Sequence, residues 1–202
     1  GRRIVTPDQL RARLRPIAAE AHDPPVVYGE EIMGELEKPP TPAAVLVPII
    51  LSPAPSILLT KRTSHLKKHA GQVSFPGGRI DREDSGPEAA ALREANEEVG
   101  LDPANVEVLG RMADYVTGTG YRITPIVGII PHGLIYRPEP AEVEAGFEFP
   151  IATAIDPEAP RREKQHVRGH WRDYWVWPHP EYFIWGATAA ILKTLADKLR
   201  MP

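Results

Sequence analysis

The amino-acid sequence predicts an α/β fold in which a mixed β-sheet is covered by helices. Short, branched apolar runs bounded by turn residues give buried strands at Ala44–Leu51 and Ser56–Thr60. Good helix formers and apolar periodicity give helices at Pro87–Val99 and Trp185–Leu199. Strands and helices interleave without the regular strand–helix–strand rhythm of a parallel sheet, so the sheet is expected to be mixed.

In chain order, Thr6-Pro7-Asp8 reads as a helix start, an N-cap followed by proline at the first helical position, with Leu10 and Leu14 on one face. For Arg11, Arg13 and Arg15 a solvated helix face is a better explanation than a membrane or RNA surface. Gly34 to Ala43 is a proline-rich connector, so residues 1–40 are expected to be a helix and connector ahead of a domain over 41–202. A proline turn joins the two strands that follow. Beyond the Pro87–Val99 helix, Val106–Leu109 and Ile123–Ile130 read as strands, Glu139–Phe147 as a short helix and Trp171–Trp177 as an alternating strand. No internal repeat is visible.

With 202 residues, 42% of them hydrophobic, the chain is long enough for one globular domain with a real core. Its formal net charge of -3 gives no support to a general nucleic-acid binder. The absence of cysteine excludes disulfides, thiolate zinc sites and a cysteine nucleophile, and it suits a cytoplasmic setting. The longest apolar stretch, Pro42–Leu51, is too short to span a membrane. The chain opens on Gly1 rather than Met, which reads as a trimmed or tagged start and leaves room for a removed leader.

The most informative segment is Arg93-Glu94-Ala95-Asn96-Glu97-Glu98-Val99-Gly100-Leu101, the end of a helix that Gly100 stops in a left-handed cap. Glu97 and Glu98 lie in the last turn, where the helix dipole disfavours negative charge. Glu94 and Glu98 are four residues apart and repel on one face. Carboxylates gathered at the wrong end of a helix point to a cation that holds them. The plain alternative is a solvated acidic face with Arg93 and Glu97 as a surface ion pair.

Just upstream, Phe75-Pro76-Gly77-Gly78 runs from a strand end into a tight loop, where glycines let backbone approach a ligand closely. The combination Gly78 … Arg93-Glu94-x-x-Glu97-Glu98-x-Gly100-Leu101 resembles the box of the Nudix hydrolases, which act on nucleoside-diphosphate derivatives. One departure stands out: Asp84 takes the place of the box's first glutamate, and eight residues rather than the usual seven separate it from Arg93. A second signature, Leu58-Leu59-Thr60-x-Arg62-Thr63 with Lys67, Gly71 and Phe75-Pro76-Gly77-Gly78, is similar to that of the coenzyme A pyrophosphatase branch. That pattern has arginine where Lys67 stands, so the bidentate fork is lost. Gly120–Pro125 and Ile184–Ala189 also look like that branch.

The resemblance implies a Nudix-type α/β/α sandwich with a mixed β-sheet and a Mg²⁺-dependent pyrophosphatase, with Mn²⁺ as a substitute. Coenzyme A and its derivatives would be cut to 3′,5′-ADP and 4′-phosphopantetheine or its acyl form. The family assigns its metal ligands to the glutamates that stand here as Glu94, Glu97 and Glu98, with the backbone carbonyl of Gly77 as a frequent addition. Glu97 and Glu98 then serve catalysis, and Arg93 orients a glutamate across one turn. In related hydrolases the general base is a box glutamate or an acid in a later loop, for which Glu142 and Glu144 are candidates, an exposed helix being the plain alternative. Substrate-binding residues fall on the motifs at Arg62, Lys67, Gly71, Phe75, Gly78 and Arg79; with Lys61 and Lys68 the cations are expected to form a phosphate-binding strip, a solvated basic loop being the plain alternative for Lys61 and Lys68. A small-molecule partner is expected, with no nucleic acid or membrane, and a homodimer is the pairing many members adopt.

Two other readings compete: a Nudix hydrolase of ADP-ribose, NADH or another nucleoside-diphosphate derivative, and a Nudix-fold sensor that binds a nucleotide without cutting it. The pairs His65/His69 and His166/His170 have helical metal-binding spacing but lack the glutamate of a zinc hydrolase motif. Trp171, Trp175 and Trp177 would share one strand face, which suits core or dimer packing better than base stacking.

Overall fold

The structure, a computed structural model, describes residues 6–18, 26–29, 32, 36–64, 71–167 and 169–200. Helix α1 (Pro7–Ala18) starts at a reciprocal cap. The Thr6 hydroxyl accepts from the Gln9 amide and the Gln9 side chain accepts from the Thr6 amide, each at 3.2 Å, which satisfies two free donors of the first turn. Strand β1 (Val27–Tyr28) precedes β2 (Thr41–Leu51) and β3 (Ser56–Arg62), the hairpin read from the sequence. Next come β4 (Val73–Ser74), β5 (Gly77–Arg79) and helix α2 (Pro87–Val99). Strands β6 (Glu107–Arg111), β7 (Tyr115–Val116), β8 (Tyr121–Pro131) and β9 (Val143–Pro150) lead to the single turn α3 (Ile151–Ala154). The last elements are β10 (Arg161–Val167), β11 (His170–Pro178), β12 (Phe183–Ile184) and α4 (Gly186–Arg200).

The spine is β2. It runs parallel to β8 from Thr41↔Tyr121 to Leu51↔Pro131. On its other side it pairs antiparallel with β5 at Ala43–Val45 and then with β3 at Ile49 and Ile50. Pro48 falls where β2 changes from one partner to the next, a tolerable place for a residue with no amide hydrogen. β3 carries β9 along one edge and β4 along the other, while β6 and β7 pair with β8 and β1 with β7. The result is a nine-stranded mixed sheet, with β10, β11 and β12 forming a separate small sheet that packs against α4.

Alternation along the central strands sends successive side chains to opposite faces. Val47, Ile49, Ile57, Leu59 and Val127 pack with Leu10 and Leu14 of α1 and Leu192, Leu195 and Leu199 of α4. Leu46, Ile50, Leu58 and Ile126 pack instead on Ala90, Ala91, Ala95 and Val99 of α2. Three of the four buried apolar residues of α2 are alanines, small side chains that let the helix lie close against the sheet. Helices on both faces of a mixed sheet give the expected α/β/α arrangement.

One expected element is absent. Glu139–Phe147 is not a helix: Glu142 and Val143 donate to the Glu139 carbonyl at 3.0 and 2.8 Å, and the chain then leaves as β9. Pairing with the free edge of β3, from Arg62↔Val143 to Ser56↔Pro150, satisfies this backbone better than a solvated helix turn would.

Candidate active site

Helix α2 begins at Pro87 and ends at Val99, capped by Gly100, whose φ of 69° and ψ of 24° are left-handed; the Gly100 amide donates to the Asn96 carbonyl at 2.9 Å. No basic residue occupies the last turn. Because Ala91, Ala95 and Val99 face the sheet, Glu98 sits on the flank beside them and is 2% exposed. Glu94 lies one turn earlier with 17% of its side chain exposed, whereas the Glu97 side chain is 55% exposed and turned to solvent.

Glu94 and Glu98 meet Glu142, and each of the three offers a carboxylate oxygen within 4.8 Å of the others. The glycines of β5 make room for this. A Cβ on Gly78 would lie 2.7 Å from the Glu94 carboxyl carbon, and one on Gly77 would lie 2.4 Å from the Ala44 carbonyl oxygen. The Gly77 amide donates to Glu98 Oε2 at 3.3 Å. Glu142 arrives on the β8–β9 connection, which is pinned to the end of α2. Arg137 donates its amide to the Val99 carbonyl at 2.7 Å and Glu139 donates to the Glu98 carbonyl at 2.8 Å, capping carbonyls the helix leaves free. From the other side the Thr63 amide donates to the Glu142 carbonyl at 3.0 Å.

Arg93 is a hub rather than half of a surface pair. Its Nε and Nη2 grip Asp84 at 3.0 and 2.9 Å in a fork, Nη1 donates to Glu94 at 3.1 Å, and Nη2 donates to the Arg79 carbonyl at 3.2 Å. Contacts to Glu97 are longer, at 3.4 Å. Asp84 also accepts from the Asp81 amide at 2.8 Å, so the shorter carboxylate and the extra residue still close the loop before α2. The Arg93 hydrogen bonds hold the Asp84 carboxyl below its ordinary pKa.

The cluster carries charge that its surroundings do not balance. Burial pushes the Glu98 carboxyl up to about 8, opposed by Arg62, whose Nη1 lies 3.7 Å from Glu98 Oε1, and reinforced by Glu94. Burial also raises Glu94, with Arg93 working against it. Three clustered carboxylates, one of them nearly excluded from water, with Arg62 at Glu98 and Arg93 at Glu94 as their cationic neighbours, form a hard-oxygen donor set that fits a divalent cation such as Mg²⁺. Glu94, Glu98 and Glu142 are the residues that would hold it.

The remaining candidates scatter. Arg62 stands at the cluster, with its Nε buried and unpartnered among the described residues. Gly71, at φ 69°, closes the turn beside it by donating to the Arg62 carbonyl at 3.1 Å. Phe75 is 3% exposed and packs into the α4-side core. The Arg79 side chain is exposed. Glu144 pairs with Lys61 at 3.4 Å outside the cluster. Lys67, Lys68, His65 and His69 lie outside the described residues. His166 packs its ring against Trp171 at 5.2 Å, and no histidine joins a metal-binding group among the described residues. Of the three tryptophans, Trp177 is fully buried, Trp175 lies 4.8 Å from both Arg162 and Lys193, and Trp171 is 69% exposed.

Glu98 couples this site to stability. Its folded pKa of about 8 lies above the ordinary glutamate value, so metal-free protein takes up a proton on folding in the interval between them. That contribution to stability is present at low pH and is lost as pH rises through about 8. The metal-free protein should therefore lose thermal stability between pH 5 and pH 8 at this group, and Glu98→Gln should flatten that loss while cutting turnover by roughly 100-fold or more. Melting curves in chelator at the two pH values, with a parallel assay, check both halves. Gly78→Ala should displace the Glu94 carboxylate and lower kcat by roughly 100-fold, the scale of an ångström-size misplacement. Circular dichroism should show the fold kept; full activity in that variant would mean the Glu94 position is unimportant.

The NUDIX domain family matches residues 40–176 of the chain. The uncharacterized Nudix hydrolase NudL of Escherichia coli K12 is 48% identical over 154 residues, covering 76% of this chain and 80% of its own. NudL of Shigella boydii serotype 18 matches at the same 48% identity and the same coverage of both chains. Among solved structures, the Nudix hydrolase RenU from M. smegmatis aligns with a TM-score of 0.49 at 23% identity, over 57% of this chain and 74% of that one. The chain belongs to the Nudix family and is a hydrolase of phosphoanhydride bonds.

Proposed function

We propose that this protein cleaves the diphosphate bridge of nucleoside-diphosphate derivatives with the help of Mg²⁺ or Mn²⁺, and that coenzyme A and its derivatives are its substrates within that class. The observation that carries the broader reading is the convergence of Glu94, Glu98 and Glu142 within 4.8 Å beside the Gly77–Gly78 strand. The coenzyme A reading rests on the upstream pattern, Leu58-Leu59-Thr60-x-Arg62-Thr63 through Phe75-Pro76-Gly77-Gly78. The family and its named relatives speak for the broader class and do not single out coenzyme A.

In hydrolysis of the bridge, water adds to one phosphorus, the bond from that phosphorus to the bridging oxygen breaks, and the other phosphate leaves. A bound divalent cation supplies charge neutralisation on the phosphate oxygens and lowers the pKa of the attacking water. Arg62, the cation nearest Glu98, adds positive charge where the diphosphate has to sit. Glu142 enters the cluster from a separate connection, and we assign one of its carboxylate oxygens to the cation and the other to accepting the proton of the water. Arg93 touches no substrate; it fixes the Glu94 carboxylate from behind, with Asp84 holding the guanidinium in turn.

Product chromatography after incubation with coenzyme A, NADH and ADP-ribose in Mg²⁺ tests the reading. Release of 3′,5′-ADP from coenzyme A in preference to cleavage of the other two is the expected result. Preferential cleavage of ADP-ribose or NADH would keep the hydrolase and remove coenzyme A. Binding without any product would favour the sensor.

A further inference from the structure

The small sheet has one face turned away from α4, on which Val176 is buried and the other side chains are partly open. Along β11, Trp175 and Trp177 turn toward α4, where Lys193 lies 4.8 Å from the Trp175 ring and Trp177 is fully buried. Alternation sends Arg172 and Tyr174 to the opposite face. In β12, Ile184 pairs with Trp177 and Phe183 with Pro178, so Phe183 shares the Tyr174 face. Trp185 meets Tyr174 edge-on, with ring centres 6.2 Å apart at 67°, and lies 6.5 Å from the Phe183 ring. Phe183 is 54% exposed, while Tyr174 and Trp185 are half-buried. The Nε of Arg172 is buried and has no hydrogen-bond partner among the described residues. A guanidinium N–H left without an acceptor costs free energy that an acidic ligand would recover.

A short run of contacts joins this face to the carboxylate cluster. The Thr188 hydroxyl, in the first turn of α4, donates to the Val73 carbonyl of β4 at 2.9 Å. The neighbouring Gln72 carbonyl accepts from the Arg62 amide at 2.8 Å, and the Arg62 guanidinium is 3.7 Å from Glu98. β12 itself packs against β4. The aromatic face and the hydrolytic centre therefore flank the same edge strand.

We propose that Arg172, Tyr174, Phe183 and Trp185 form the subsite for the base and terminal phosphate of a phosphorylated nucleoside, the part of the substrate remote from the bond that is cut. This rests on the reading of the protein as a nucleoside-diphosphate hydrolase and adds which residues take the nucleoside end. Aromatic rings offer a stacking surface that suits the flat face of a purine. The arginine supplies the forked donor that a phosphate monoester accepts.

Two variants test the subsite, Phe183→Leu, which keeps apolar bulk, and Arg172→Gln. The probe is adenosine 3′,5′-bisphosphate, titrated by calorimetry into wild type and variants and used as a competitor of the best substrate. Weaker bisphosphate binding by about fivefold or more in each variant is expected, the lower range of what base stacking gives. KM should rise by a similar factor with kcat kept within about twofold, since the hydrolytic centre is untouched. Unchanged binding and KM in both variants, with melting temperatures preserved, overturns the subsite. If wild type cuts no nucleoside-diphosphate substrate, the function reading fails separately, and calorimetry alone still decides whether these residues hold the bisphosphate.

Discussion

The burial of carboxylates at Glu94 and Glu98, beside Glu142, is the constraint around which the rest of the site is arranged. Like charges within 4.8 Å at a helix C-terminus, with Glu98 2% exposed, oppose both the helix dipole and the cost of burying charge. Several neutral features hold the carboxylates there regardless. The alanine face of α2 sets the helix close to the sheet, and Gly77 and Gly78 leave no side chain where Glu94 and the β2 backbone need the space. The β8–β9 connection, donating to the last carbonyls of the helix, fixes Glu142 relative to Glu98 through backbone rather than through side chains. Stability is given up at the carboxylates so that a cation can recover it.

Arg93 illustrates how positive charge is rationed. A guanidinium inside the cluster would compete with a divalent ion for the same oxygens. Arg93 instead spends its fork on Asp84 and reaches Glu94 with one remaining nitrogen, so it orients that carboxylate and offsets only part of the cost of burying it. Arg62 is the cation that does face Glu98, and its distance of 3.7 Å leaves a gap rather than a tight pair. That spacing suits a site that must receive both a metal and a diphosphate.

Local signals in the sequence reported local structure well. The start of α1, the extent of α2, its left-handed stop at Gly100, the β2–β3 hairpin and the last helix all follow from periodicity and capping chemistry. What was hidden depends on contacts between distant segments. β10, Arg161–Val167, is almost wholly polar and is a strand only because β11 pairs with it. Glu139–Phe147 imitates a helix until the edge of β3 is there to receive it. Within the site, Glu94 and Glu98 could be read from their spacing. The outward turn of Glu97 could not, because it depends on which flank of α2 the sheet covers. Asp84 was visible as a departure from the family spacing, yet only the folded loop reveals the fork to Arg93 that the departure preserves.

The central claim is that Glu142, and not Glu97, completes the cation site with Glu94 and Glu98. Binding of Mn²⁺ followed by electron paramagnetic resonance in Glu142→Gln and Glu97→Gln tests it most directly. The geometry predicts that Glu142→Gln weakens binding by at least about 10- to 100-fold, the loss seen even for outer-shell partners, while Glu97→Gln changes it little. Strong loss in Glu97→Gln with normal binding in Glu142→Gln would contradict the account.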